Sequence, residues 1–170
     1  MKFSELEYRR PDVARIEEDY KALIERVKKA ETDEEILDIW AAHQRLSTEF
    51  NLSDRTVYIR NTMNTKDEFY LGEKAYFNSV SPSYYNTQNQ LYKALLEHPK
   101  LQVLADKFGS ILPKKMQVAL DAADESVIDL QREDNALVQE YDELYASYMV
   151  EFEGKQMTLP QLAIYMMGGK

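Results

Sequence analysis

Metal-dependent peptide hydrolysis asks for two imidazoles one helical turn apart with a carboxylate beside the first. Both rings then meet one ion and the carboxylate reaches its water. The chain has two histidines, His43 and His98. His43 is followed by Gln44 and His98 by Pro99, so neither opens a His-Glu-x-x-His helix. Trp40 and Leu95 stand three residues before them, where a di-iron bundle would need glutamates. Cysteine is absent, which removes thiolate ligands, disulfides and a Cys nucleophile together. Glycine occurs only at 72, 109, 154, 168 and 169, so no serine sits in a Gly-x-Ser-x-Gly elbow. The same scarcity excludes a phosphate-binding loop and a dinucleotide fingerprint, both of which need glycine for backbone approach. Glu17, Glu18, Asp19, Glu133 and Asp134 fall at helix-surface spacing beside lysine and arginine, the pattern of a solvated face. No catalytic or metal-binding residue is assigned, and the substrate-binding residues stay unknown.

The same residues have structural readings. His43 lies on an apolar stripe, as a packed and hydrogen-bonded histidine does. His98 stands at a helix C-terminus, where a partly cationic ring suits the dipole. The chain holds twelve tyrosines, among them Tyr58, Tyr70, Tyr76, Tyr84, Tyr85, Tyr92, Tyr141, Tyr145 and Tyr148 on expected helices. An apolar ring with a polar tip suits the edge of a core or the wall of a peptide-binding surface, and both readings stand.

The elements that would carry these residues are helical. Pro11 suits the first position of a helix with Val13, Ile16, Tyr20, Leu23 and Val27 on one face. Thr32 and Glu35 form a capping box for a second helix striped by Ile36, Ile39, Trp40, His43, Leu46 and Phe50. Asn51 to Asp54 is expected to interrupt or kink it, with helix resuming through Val57, Tyr58 and Met63. Thr65 and Glu68 read as another capping box, opening a helix with Phe69, Tyr76, Phe77 and Val80. Pro82 is expected to break or bend that helix. A separate segment then runs from about Tyr84 to Leu96 and stops at Pro99. A short helix over Lys100 to Phe108 ends at Gly109, a left-handed cap. Another spans about Leu112 to Ala123. The last long helix starts near Asp124 and is striped by Val127, Leu130, Leu137, Tyr141, Leu144 and Tyr148. Met149 to Met157 alternates in polarity around Glu153-Gly154, as a hairpin does, and Leu159 to Met167 starts a further helix.

Composition agrees. Hydrophobic residues make up 44% and charged residues 30%, enough for one packed core. The net charge of −9 repels polyanions, so nucleic acid and acidic membranes are poor partners. The basic pairs Arg9-Arg10, Lys28-Lys29 and Lys114-Lys115 are too short to track phosphates and read as solvated charge. The first residues form no apolar leader, and Leu162 to Met167 falls far below the roughly 20 residues of a membrane span. A soluble, cytoplasmic protein is expected.

Several collinear stretches resemble the oligoendopeptidase F-type zinc peptidases of the M3 family. They are Lys2-Phe3-Ser4-Glu5 through Tyr8-Arg9-Arg10-Pro11-Asp12, Tyr58 to Thr62 with Thr65 to Tyr70, and Tyr92 to Leu96. Asp129 to Asn135 and Glu151 to Lys155 with Leu159 to Leu162 complete the set. The resemblance implies an all-α bundle of long antiparallel helices with a small β-hairpin near the C-terminus. Residues 1–148 would form the N-terminal helical domain. Residues 149–170 would hold the hairpin and the start of a helix leading into an absent catalytic domain. In that family a later domain holds zinc on a His-Glu-x-x-His helix and a further Glu. None of those positions exists here, so this chain would carry no cofactor. It would supply one wall of a channel that admits short peptides and be inactive alone. Its partners would be the catalytic domain and, in the full-length setting, short peptides. Self-association through Leu159 to Met167 or a tyrosine-rich face is also expected. The alternatives are a free-standing helical module for proteins or peptides, and an unrelated acidic bundle that takes a partner helix on its tyrosine-rich face.

Overall fold

A computed structural model describes residues 6–123 and 127–168. The described residues are 78% helical and form seven helices and one antiparallel hairpin. Helices α1 (Val13–Lys29), α2 (Asp33–Met63) and α3 (Glu68–Leu96) are the long members. The short helices α4 (Gln102–Phe108) and α5 (Ile111–Asp121) follow, then α6 (Ile128–Ser147). Strands β1 (Met149–Phe152) and β2 (Lys155–Thr158) lead into α7 (Leu159–Met167). Helix α3 is central: α1, α2, α5 and α6 all pack against it. The expected start near Asp124 lies outside the described residues, as do Lys2 to Glu5.

The α1 stripe is the clearest translation of sequence into core. Val13, Ile16, Tyr20, Leu23 and Val27 are all buried. The three long helices meet in an aromatic stack: Phe50 of α2 lies flat on Tyr84 of α3 at 3.7 Å, and Tyr84 meets Tyr20 of α1 edge-on at 5.9 Å.

The starts of two helices differ from expectation. Asp12, not Pro11, begins α1; its carboxylate accepts from the Arg15 amide at 3.0 Å. Asp67, not Thr65, caps α3, accepting from the amides of Phe69 (3.1 Å) and Tyr70 (3.3 Å). Aspartate is among the strongest N-caps, and its adjacency to Glu68 decides the boundary. The capping box of Thr32 with Glu35 is present as expected.

Two expected breaks are absent. Helix α2 runs unbroken through Asn51 to Asp54. There Asn51 Nδ2 donates to the Ser47 carbonyl (2.8 Å) and Thr56 Oγ1 to that of Leu52 (2.7 Å). These side chains bond back along the helix instead of competing with it. Helix α3 runs unbroken through Pro82. Proline leaves the carbonyl four residues before it without a donor. That carbonyl, on Asn78, accepts from Asn135 Nδ2 of α6 at 3.4 Å, and the next one, on Ser79, accepts from Arg132 Nε at 3.0 Å. Helix α6 thus repairs what Pro82 removes.

Gly109 ends α4 with a positive φ of 93°. The hairpin turns on Glu153 (φ 52°) and Gly154 (φ 76°), two positive-φ residues as a tight hairpin turn of the primed kind requires. Its register pairs Met149 with Thr158 and Phe152 with Lys155. Thr158 and Gln161 form a capping box that opens α7. No helix among the described residues is long and apolar enough to cross a membrane.

Candidate functional site

Three places hold side chains that packing alone does not explain.

The outer side of α6 is the largest. Its half-buried positions are Ile128, Arg132, Asn135, Gln139, Glu143 and Ala146, a stripe that is mostly polar. This is the stripe that meets α3. Asn78 Nδ2 donates to Gln139 Oε1 at 2.7 Å, and Lys74 lies 3.6 Å from the Asp142 carboxylate. The apolar stripe faces away. Leu130, Leu137, Tyr141, Leu144 and Tyr148 are all exposed, Leu137 by 63% and Tyr141 by 65%. Val138 and Tyr145 widen it, and Ile164 and Met166 of α7 are exposed as well. A soluble protein rarely leaves such an area uncovered without a partner.

The second place is a buried polar cluster around His43. Tyr20 Oη lies 3.1 Å from His43 Nδ1, and Tyr92 Oη lies 3.4 Å from Nε2. Gln88 Nε2 donates to the hydroxyls of Tyr20 (3.4 Å) and Tyr84 (3.3 Å). The histidine is 4% exposed, and burial pulls its pKa down to about 4. Burial likewise pushes the Tyr92 phenol up to about 12 and raises that of Tyr20. The ring is therefore neutral, with one nitrogen donating and the other accepting. The reading of His43 as a packed, hydrogen-bonded histidine holds. His98 sits just beyond α3, its Nε2 3.2 Å from the Ala30 carbonyl at the end of α1 and its Nδ1 accepting from the Lys100 amide at 3.2 Å.

These partners decide whether the histidines suit a zinc centre. All four ring nitrogens are within reach of protein groups, and among the described residues no three metal-ligating side chains converge. The donor set does not fit the ion.

The third place is a clasp that the sequence did not reveal. Glu73 of α3 is a carboxylate only 4% exposed. Arg10 Nε donates to Glu73 Oε2 at 3.0 Å, and its terminal nitrogen bonds the other carboxylate oxygen. Tyr8 donates to the same group, and the guanidinium lies 4.4 Å over the Tyr76 ring. The Arg10 contacts hold the Glu73 carboxyl below its usual range. Ser53 Oγ donates to the Arg9 carbonyl (3.0 Å) and Arg60 to that of Leu6. Arg10 keeps a side chain 53% exposed, as its sequence setting implies, but it is also paired, which that setting does not show. It anchors the segment before α1, because a buried carboxylate needs a cation. Nothing local in Leu71-Gly72-Glu73-Lys74 marks that carboxylate as buried. The other expected surface charges are as expected: Lys28 pairs with Glu25 at 2.6 Å and Arg15 with Asp19 at 2.6 Å.

The tyrosines divide by burial. Tyr20 and Tyr84 are core, Tyr70, Tyr76 and Tyr92 edge it, and Tyr58, Tyr85, Tyr141, Tyr145 and Tyr148 are exposed.

A helical domain with one uncovered apolar side is the class the architecture defines, and comparison with known proteins narrows it. Residues 3–123 match the Peptidase M3 N-terminal domain family, and the chain belongs to that family. A solved structure of PZ peptidase A with an inhibitor is similar at 31% identity and a TM-score of 0.90, over 95% of this chain and 29% of that one. Two structures described as oligoendopeptidase F, one from Bacillus anthracis str. Ames, are similar at 28% identity and TM-scores of 0.91. They match 98% of this chain. The chain spans 29 to 30% of the length of these three structures. No curated protein matches.

Proposed function

We propose that this chain is the helical wall of a zinc-dependent oligopeptidase that hydrolyses short peptides in the cytoplasm. It docks a catalytic domain through the outer stripe of α6 with α7, and that domain holds the zinc. The wall narrows access to the reaction centre, so short flexible peptides enter and folded proteins do not. Alone it is inactive, since its own side chains do not suit the metal.

One observation carries the reading: α6 turns a polar stripe inward onto α3 and an apolar stripe outward. A helix that keeps its leucines outside has a second surface to meet. The family membership and the length of the solved relatives support a catalytic domain as that second surface, since more than two thirds of each relative lies beyond the matched part. Without that domain the same side drives self-association, which sedimentation velocity measures.

The test combines this chain with a separately produced zinc-bearing catalytic domain and follows cleavage of a quenched fluorescent heptapeptide. Cleavage by the mixture, lost with Leu137→Asp plus Leu144→Asp, supports the proposal. An activity drop of at least about tenfold is expected from losing two central apolar contacts. Chelator-sensitive turnover by this chain alone overturns it.

A further inference from the structure

Helix α6 carries its charges unevenly. Six of its residues are acidic and one, Arg132, is basic. Arg132 belongs to the inner stripe, where it donates to the Ser79 carbonyl and pairs with Asp129 at 2.7 Å. Asp142 is met by Lys74, and Glu143 accepts from Gln139 at 2.8 Å. Glu133, Asp134 and Glu140 are left. All three are exposed, and none has an ion-pair partner among the described residues.

Their spacing places them on the outward side of the helix. Asp134 lies four residues after Leu130 and three before Leu137, inside the apolar stripe. Glu133 and Glu140 lie three or four residues from Leu130, Leu137 and Leu144, along one edge of it. Helix α1 shows the ordinary arrangement of surface charge. There Asp19 pairs with Arg15, Glu18 with Lys21 and Glu25 with Lys28, each within about one turn. The three α6 carboxylates have no such answer on their own helix.

A partner that covers the stripe takes water from these carboxylates, and a carboxylate stripped of water needs a cation. A second copy of this chain does not supply one. A two-fold contact sets the stripe against itself, so carboxylates meet carboxylates. We propose that the catalytic domain meets α6 with an apolar surface edged by lysine or arginine, placed against Glu133, Asp134 and Glu140, and that the same three carboxylates hold a second copy of this chain away. This rests on the docking reading above and names the chemistry of the surface that docks. Salt then acts in opposite directions, weakening the docking and strengthening self-association.

Both directions are measurable without a catalytic domain, so a failure here is separate from a failure in the cleavage assay. Sedimentation velocity of the intact chain is run from about 20 mM to about 500 mM sodium chloride, a range over which exposed charges become screened. Glu133→Gln with Asp134→Asn and Glu140→Gln should tighten self-association about tenfold at low salt and remove most of its salt dependence. Glu34→Gln with Asp38→Asn and Glu97→Gln makes the same change of net charge at exposed positions elsewhere. This control set should stay within about threefold of the unaltered chain. For the partner's chemistry the probe is a labelled amphipathic helix of about 20 residues, its leucine stripe edged by lysines. Its anisotropy should saturate with the intact chain, and the α6 set or high salt should each weaken binding at least about tenfold. The same peptide edged by glutamates should bind at least about tenfold more weakly. The proposal fails if salt loosens self-association, or if the control set shifts either reading as far as the α6 set does. It also fails if the lysine peptide does not saturate, if it binds the chain with Leu137→Asp and Leu144→Asp equally well, or if the glutamate peptide matches it.

Discussion

Helices α1 and α6 carry the same hydrophobic pattern and put it to opposite use. In α1 the residues spaced by three and four, from Val13 to Val27, are all buried against α2 and α3. In α6 the residues with that spacing, from Leu130 to Tyr148, are all exposed. The difference lies in what each helix meets. Helix α3 offers α1 an apolar seam and the aromatic stack of Phe50 and Tyr84. It offers α6 two backbone carbonyls around Pro82, and carbonyls are met by Asn135 and Arg132, not by leucine. Periodicity therefore reports that a helix has a face to bury, but not whether this chain supplies the cover.

The comparison can be broken by substitution. The largest effect is expected at Ile16, fully buried in α1: Ile16→Ala should cost about 3 kcal/mol in urea unfolding, since it opens a cavity in the core. A loss below about 1 kcal/mol would mean that the α1 seam is loosely packed. Next comes the buried histidine that faces α1. Burial keeps His43 neutral down to about pH 4 in the folded chain, whereas the unfolded chain protonates it near 6.5. Between those values the unfolded state binds more protons, so stability falls as pH drops through that window. His43 contributes up to about 3 kcal/mol of that fall. In His43→Gln the slope between pH 6.5 and 4 should flatten; an unchanged slope would show that the ring is not held neutral. The smallest effect belongs to α6. Leu137→Ala should change the stability of the isolated chain by less than about 0.5 kcal/mol. A cost like that of Ile16→Ala would place Leu137 in a core and end the contrast.

Where neighbours in sequence decide the outcome, the sequence was a good guide. The α1 stripe, the capping box at Thr32, the Glu153-Gly154 turn and α7 follow from local rules, and all are present. The errors have two causes. The starts at Pro11 and Thr65 and the break at Asn51 to Asp54 misjudge local alternatives, an aspartate cap one or two residues on and side chains that bond back along the helix. Pro82 reads as a break because its local cost is visible and its compensation is not. For Pro82 the compensation comes from Arg132 and Asn135, 53 and 57 residues beyond the carbonyls they meet. The site was legible only as a list of what it lacks. Glu73 reads as one acidic surface residue among many, because the residues that bury it lie on other elements.

The clasp on Glu73 has a bearing on how the chain matures. Arg10 leaves the ribosome 63 residues ahead of its carboxylate. At about 5 to 20 residues per second that is a delay of several seconds. Through that interval α1 has neither its anchor nor the α3 seam that covers it, and its leucine and valines stay wet. A slower codon stretch before Glu73 would lengthen the wait, and chaperone occupancy of the nascent α1 should lengthen with it.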